Sequence, residues 1–327
     1  MRLDEGQHIG IDHQQRPFCQ PFRKRAEFAD GAWALHIAGR PAKDPDHLPK
    51  LPQHMPVRKV QTKASHPRLL VRADRRKTSG MNPIERDTRI ALAACYRLIA
   101  RYGMTDLIFN HITARIPDTE DLLINPFGLL YEEITASSLV RIDIEGNVLD
   151  AGDTDYGINR AGYVIHSAVH SARPDVQAVI HTHTRAGVAV SCMPQGLMPI
   201  SQTALRFLGR TGYHDFEGPA IDEGERVRLI AALGANDALI LRNHGLLTVG
   251  RSIPEAFLLM QRLETACQIQ VAALAGGAPV MPSAESQQRT AQLFAPKTGS
   301  AEVSTDGGRE WPALLRQLDR ADPRYRD

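Results

Sequence analysis

The chain has 327 residues, 39 Lys+Arg against 37 Asp+Glu, and 43% hydrophobic residues, the make-up expected of a soluble globular protein with one large domain or two small ones. No apolar run approaches the roughly 20 residues that span a bilayer, and the opening Met1-Arg-Leu-Asp-Glu-Gly-Gln-His8 lacks the apolar stretch of a secretory signal. The four cysteines, Cys19, Cys95, Cys192 and Cys267, have no C-x-x-C spacing and read as reduced thiols of a cytoplasmic protein, without metal or catalytic role.

The net charge of +2 conceals a split: residues 1–80 hold 16 Lys+Arg and 8 Asp+Glu, and the remainder holds 23 and 29. The same 80 residues carry 8 of the 21 prolines and 6 of the 13 histidines, with no sustained apolar period. Pro41, Pro45, Pro49, Pro52 and Pro56 interrupt any helix that starts there. The segment is expected to be disordered. Because Met81 directly precedes the first convincing helix, it is also expected to stem from an upstream start chosen in error. A basic arm can signal nucleic-acid or membrane contact. This one lacks the helical periodicity and interleaved aromatics that such partners require, so neither is expected.

Order is expected from residue 81 to 277. Asn82 suits an N-cap, Pro83 the first helical position, and Glu85 completes a capping-box pattern. Ala91, Ala94, Cys95, Leu98 and Ile99 follow at helical spacing, and Gly103 can end the helix. Short runs at 107–109, 112–116, 122–125 and 139–144 read as strands, with turns at Pro126-Phe-Gly128 and Glu145-Gly-Asn147. A helix is expected over about 159–172, ending before Arg173-Pro174. A strand at 176–181 and a short helix from about Arg185 come next. Asp222 with Glu225 opens a helix to about Leu233. Strands at 237–241 and 246–249 precede a long helix from Pro254 to about Leu274, stopped by Gly276-Gly277. The tail, 278–327, is polar with one amphipathic piece, Trp311–Leu318. Strands outnumber β-α-β crossovers, which predicts a three-layer α/β/α domain with a mostly antiparallel central sheet.

Two stretches carry the chemistry. Ala178-Val-Ile-His181-Thr-His183 is an apolar run ending in two histidines spaced i, i+2, so both imidazoles leave one face of a strand. Leu239-Ile-Leu-Arg-Asn-His244-Gly245 repeats the design with one histidine and a glycine for a tight turn. Any one histidine is more often a hydrogen-bonded core or surface residue than a ligand. Three meeting at strand ends would bind a metal and leave a position open for water or substrate, the layout of a catalytic zinc.

With these motifs the chain resembles the class II aldolase/adducin family. The resemblance rests on His181-Thr-His183-Thr-Arg-Ala-Gly187, Arg242-Asn-His244-Gly-Leu246, Asn125-Pro-Phe-Gly-Leu-Leu-Tyr-Glu-Glu133 and His166-Ser-Ala-Val-His-Ser-Ala-Arg-Pro-Asp175, in family order across about 84–277. Phe109-Asn-His-Ile-Thr113, Thr135-Ala-Ser-Ser-Leu139, Asn159-Arg-Ala-Gly162 and Tyr213-His-Asp-Phe-Glu-Gly218 are similar to the adducin head, as in compact bacterial members. The resemblance implies Zn²⁺, or another divalent metal such as Mn²⁺, on His181, His183 and His244. It also implies a homotetramer with the metal cleft at a subunit boundary, where Trp311, Arg316 and Tyr325 of the tail would cover a neighbour's site. The family's aldolases use a glutamate base four residues before the position of His166, and here that position is Gly162. Their phosphate cradle matches Asn110-His111, Phe127-Gly128 and Arg160-Ala161. Only Gly128 is kept, with His111, Thr113 and Arg160 as the remaining anion-binding candidates.

The expected function is a metal-dependent lyase that cleaves a C–C bond, by retro-aldol reaction or decarboxylation, in a small oxygenated acid or sugar derivative through a metal-stabilised enolate. Tyr131, His214 and His170 are candidates for the missing acid/base. His166 reads as a structural helix residue, and Glu132 and Glu133 as a solvated pair. The alternative is a non-catalytic, adducin-like scaffold of the cytoskeletal type that keeps the metal for structure.

Overall fold

A computed structural model of the protein describes residues 81–218, 223–295 and 307–327. The chain divides into two units, 1–68 and 69–327, and every described residue belongs to the second. The expectations for residues 1–80, including Cys19, and for Asp222 as a helix cap lie outside the described residues.

The first helix, α1 (Pro83–Arg101), starts where the sequence places it: the Asn82 side chain accepts the Ile84 N–H at 3.0 Å and Pro83 fills the first position. Glu85 does not close a capping box. Its carboxylate is turned inward to Arg89 (2.9 Å) and Arg141 (3.0 Å), because Arg89 is itself only 1% exposed and needs a counter-charge. The helix then buries Leu92, Cys95, Leu98 and Ile99 completely, each large aliphatic side chain contributing about 1.5–3 kcal/mol.

The chain continues through β1 (His111–Arg115), β2 (Leu122–Ile124), a 3-10 turn at Tyr131–Glu133, β3 (Val140–Ile142) and β4 (Val148–Asp150). Next come α2 (Arg160–Ala172), β5 (Ala178–Thr182), α3 (Arg185–Ser191), α4 (Gln202–Leu205), β6 (Thr211–His214) and α5 (Glu223–Leu233). The hairpin β7 (Ala238–Leu241) and β8 (Gly245–Gly250) leads into the long α6 (Ile253–Ala275), followed by α7 (Ala284–Leu293) and α8 (Glu310–Ala321). The eight strands form one sheet in the order β4-β3-β2-β1-β5-β8-β7-β6, antiparallel throughout except for β6 beside β7. One face packs against α1, α3, α6 and α8 around Ile112, Ile180, Ile240 and Leu246. The other packs against α2 and α5 around Val179, Leu239, Leu247 and Val249. The three-layer α/β/α expectation describes this arrangement. Among the described residues no helix is long and apolar enough to cross a membrane.

Several expectations are corrected. Residues 107–109 are not a strand but a turn, closed by the Phe109 N–H donating to the Asp106 carbonyl at 2.8 Å, with Leu107 at φ +50°. Three apolar residues in a row do not reveal whether a sheet edge is available to pair with. Strand β4 carried no alternation signal because all three of its residues are exposed. The tail forms two helices, α7 and α8, and a final 3-10 turn at Pro323–Arg326, rather than one amphipathic piece. Trp311 and Tyr325 do not reach outward. Trp311 packs on Phe257 (ring centroids 5.9 Å) and Tyr325 is fully buried in the chain's own core, so neither side chain is free to cover a neighbour's site. Arg316 is exposed. Cys95 and Cys267 are buried and Cys192 is exposed, all unpaired.

The last residues are therefore part of the domain: Ala136 N–H donates to the Tyr325 carbonyl (3.0 Å) and Ser137 N–H to the Asp327 carbonyl (2.8 Å). Tyr325→Ala is expected to cost about 3–5 kcal/mol, read as a lower urea midpoint. An unchanged midpoint would show that the tail does not hold the core.

Candidate metal centre

Strand β5 lies between β1 and β8, with His181 opposite His111 on one side and Leu247 on the other. The i, i+2 alternation sends His181 and His183 to the same face. The hairpin turn at 242–244, with Asn243 at φ +56°, brings His244 back against them. Gly245 is required there: a Cβ at this position would sit 2.3 Å from the Thr182 carbonyl oxygen. The glycine lets the turn approach β5 closely enough to deliver the third imidazole.

His183 Nε2 lies 2.8 Å from His181 Nε2 and 3.0 Å from His244 Nε2, and these three are the group of metal-ligating side chains that converges among the described residues. Two of the tautomers are fixed from behind. His181 Nδ1–H donates to the Leu246 carbonyl at 2.9 Å, and His183 Nδ1–H donates to the Asp106 carboxylate at 3.0 Å. Because a carbonyl and a carboxylate only accept, the proton of each neutral ring sits on Nδ1, which leaves Nε2 as the ligating atom. In these tautomers neither Nε2 brings a proton to the 2.8 Å contact between His181 and His183, so that contact is not satisfied by hydrogen bonding. The cluster matches a cation instead, since ligand nitrogens about 2.0–2.1 Å from a tetrahedral ion stand roughly 3.3 Å apart. Burial, reinforced by the neighbouring imidazoles, holds His181 well below the ordinary histidine value and lowers His244 to about 4, so both are in the neutral form that binds metal.

Behind the triad lies a buried polar layer. The Thr113 hydroxyl bonds His166 Nδ1 and His170 Nε2, both at 2.8 Å. His111 Nε2–H donates to the Gly162 carbonyl at 2.7 Å, and its ring packs on His166 at 4.0 Å between centroids. Burial pushes His111 down to about 4 and His170 to about 3. The His111 ring also explains Gly162: a Cβ there would lie 2.3 Å from His111 Cε1. The position where the resemblance looked for a glutamate has no room for a side chain.

The remaining sequence candidates are placed as follows. Tyr131 is 1% exposed, stacked edge-on to Tyr96 at 4.6 Å, and burial raises its phenol well above 10. His170 is held in the layer behind the triad. His214 lies at the end of β6, its Nε2 3.5 Å from Glu225 Oε1, in a small cleft that His244 also lines. Gly128 is covered by the Tyr156 ring, 2.9 Å from where its Cβ would be. Arg160, exposed, lines a separate groove on α2 with Ser167 and Arg226. Glu132 and Glu133 are exposed, as expected. Sequence reasoning missed Asp106, which contacts His183 across 77 positions and belongs to no motif, and Glu225 beside His214, which it read only as a helix-capping residue.

The family model described as "Class II Aldolase and Adducin N-terminal domain" matches residues 90–271. A Pseudomonas aeruginosa protein named for the class 2 aldolases is 53% identical over 247 residues, covering 74% of this chain and 93% of its own. α-Adducin of Rattus norvegicus is 45% identical over 245 residues, covering 72% of this chain and 33% of its own. The solved L-fuculose 1-phosphate aldolase of Glaciozyma antarctica is 30% identical with a TM-score of 0.65, covering 74% of this chain and 93% of its own.

The buried histidines set a pH dependence. His111 and His170 stay neutral in the folded chain but take up protons below about pH 6.5 once unfolded. Their stability contribution is complete above about 6.5 and is lost as pH falls towards 4, by about 1.4 kcal/mol per pH unit for each group. The urea midpoint of metal-free protein is expected to fall between pH 7.5 and 5.0. A flat midpoint over that range would contradict the burial of these groups.

Proposed function

Because the chain belongs to the class II aldolase and adducin family, we propose that it is a divalent-cation-dependent lyase that breaks a C–C bond next to a carbonyl in a small oxygenated acid or sugar derivative. The observation that carries this reading is the convergence of His181, His183 and His244 Nε2 on one point, with no fourth ligating side chain among the described residues. A structural zinc is closed by four protein ligands, whereas three leave room for substrate oxygens. When bound, the cation supplies the positive charge that stabilises the oxygen becoming negative as the bond breaks. Zn²⁺ suits a three-imidazole set, and Mn²⁺ is the second candidate.

The rest of the work falls to the protein. Leu246 and Asp106 hold two of the imidazoles in the ligating tautomer. The His111 ring fills the space over Gly162, which removes any carboxylate base from that position. Decarboxylation is therefore favoured over retro-aldol cleavage, since loss of CO₂ needs no proton abstracted at the outset. The product carbon still needs a proton. Of the three candidates His214 is assigned the role, because it shares a cleft with His244, whereas Tyr131 and His170 are enclosed elsewhere. Among the anion-binding candidates, His111 and Thr113 are engaged internally, Gly128 is covered and Arg160 lines a separate groove, so none of the four is assigned to a substrate anion at the metal centre. A cytoplasmic homo-oligomer acting on a small molecule completes the reading.

A scaffold role is the second reading, favoured by the 45% identity to α-adducin over most of this chain. One experiment separates the two. The purified chain is expected to hold one metal ion per protomer, and His181→Ala/His183→Ala/His244→Ala none. A panel of hydroxy acids, keto acids and ketose phosphates should then reveal turnover that a chelator abolishes and Zn²⁺ or Mn²⁺ restores. Metal binding without turnover of any panel member favours the scaffold.

A further inference from the structure

The turn that replaces the expected strand at 107–109 begins at Asp106, whose carboxylate reaches the candidate metal centre. Asp106 Oδ2 accepts the His183 Nδ1–H at 3.0 Å, and among the described residues no other carboxylate bonds a member of the triad. The turn around it is strained at one residue: Leu107 sits at φ +50°, a conformation disfavoured for a bulky side chain, while Asn110 at φ +69° is of a type that tolerates it. Packing does not explain the strain, because the Leu107 side chain is 69% exposed and Phe109 is 47% exposed. What the turn does achieve is to aim Asp106 at the back of His183.

We propose that Asp106 is a positioning residue for the metal centre, fixing the His183 tautomer and lending negative charge through the imidazole to the bound cation. The inference rests on the lyase reading and deepens it. An imidazole ligand brings no charge of its own to a cation, so Asp106 is the charged group that tunes how tightly the ion is held and how strongly it polarises a substrate oxygen. The mechanism is general: a carboxylate behind a ligating histidine fixes the ring and raises its basicity, and its loss typically weakens metal affinity about 10- to 100-fold. Asp106 keeps 43% of its side chain open to solvent, so its replacement empties no core volume. The effect is therefore expected on affinity and electronic environment rather than on folding.

The test uses the full-length chain stripped of metal. Zn²⁺ affinity is measured by competition with a chromophoric chelator for wild type, Asp106→Asn and Asp106→Ala, and the visible spectrum of each is recorded with Co²⁺ in place of Zn²⁺. Asp106→Asn keeps the shape and loses the charge. It is expected to bind Zn²⁺ about tenfold more weakly and Asp106→Ala up to about 100-fold more weakly. The Co²⁺ bands should shift in both, with the metal-free urea midpoints unchanged. The asparagine variant carries the test even if the alanine variant unfolds. Affinity within twofold of wild type, with the same Co²⁺ spectrum, overturns the proposal while leaving the lyase reading in place. Failure of the wild-type chain to bind Zn²⁺ or Co²⁺ overturns both.

Discussion

His183 Nε2 faces His181 Nε2 at 2.8 Å and His244 Nε2 at 3.0 Å, and with both Nδ1 protons committed to Leu246 and Asp106, neutral His181 and His183 have no proton to share between them. Left alone, their lone pairs repel. The protein nevertheless spends a buried strand, a glycine turn and two fixed tautomers on keeping them there. Burial removes the ordinary escape for His181 and His244, because protonating those two rings is opposed by desolvation. The arrangement makes physical sense around a divalent cation, and much of the surrounding architecture follows from that demand.

The sheet order shows how. Strand β5 sits at the centre, flanked by β1 and β8, so the pair on β5 can be reached from both sides. From the turn leading into β8 comes His244, at the cost of a glycine at 245. From β1 come His111 and Thr113, which with His166 and His170 of α2 form a polar layer sealed from solvent. Unpaired buried polar groups each cost about 1–3 kcal/mol. His111 Nδ1, His166 Nε2 and His170 Nδ1 all lack partners. Such a concentration of expense behind a metal centre is what a functional site looks like when it is maintained against stability.

Much of this was legible in the sequence, because the relevant signals are local. The His-x-His pair at the end of an apolar run, the glycine after His244 and the N-cap at Asn82 each depend on neighbours a few positions away. What escaped depends on contacts between distant segments. Asp106 lies 77 positions from His183, and nothing near it in the chain announces the partnership. Glu85 has the right spacing for a capping box, but the buried charge of Arg89 claims it. Gly162 looked like a lost glutamate from the chain alone; only the packing shows that His111 has taken the volume. Tyr325 was assigned to a neighbour's site through the family resemblance, and nothing near it in the chain shows that a fully buried slot in its own domain awaits it.

The convergence of the three histidines on one cation is the central claim, and X-ray absorption at the zinc edge of the zinc-loaded protein tests it most directly. The account predicts three nitrogen scatterers at about 2.0–2.1 Å with the outer-shell signature of imidazole, completed by light oxygen atoms. A first shell containing sulfur, or one built from oxygen alone without imidazole, would contradict it.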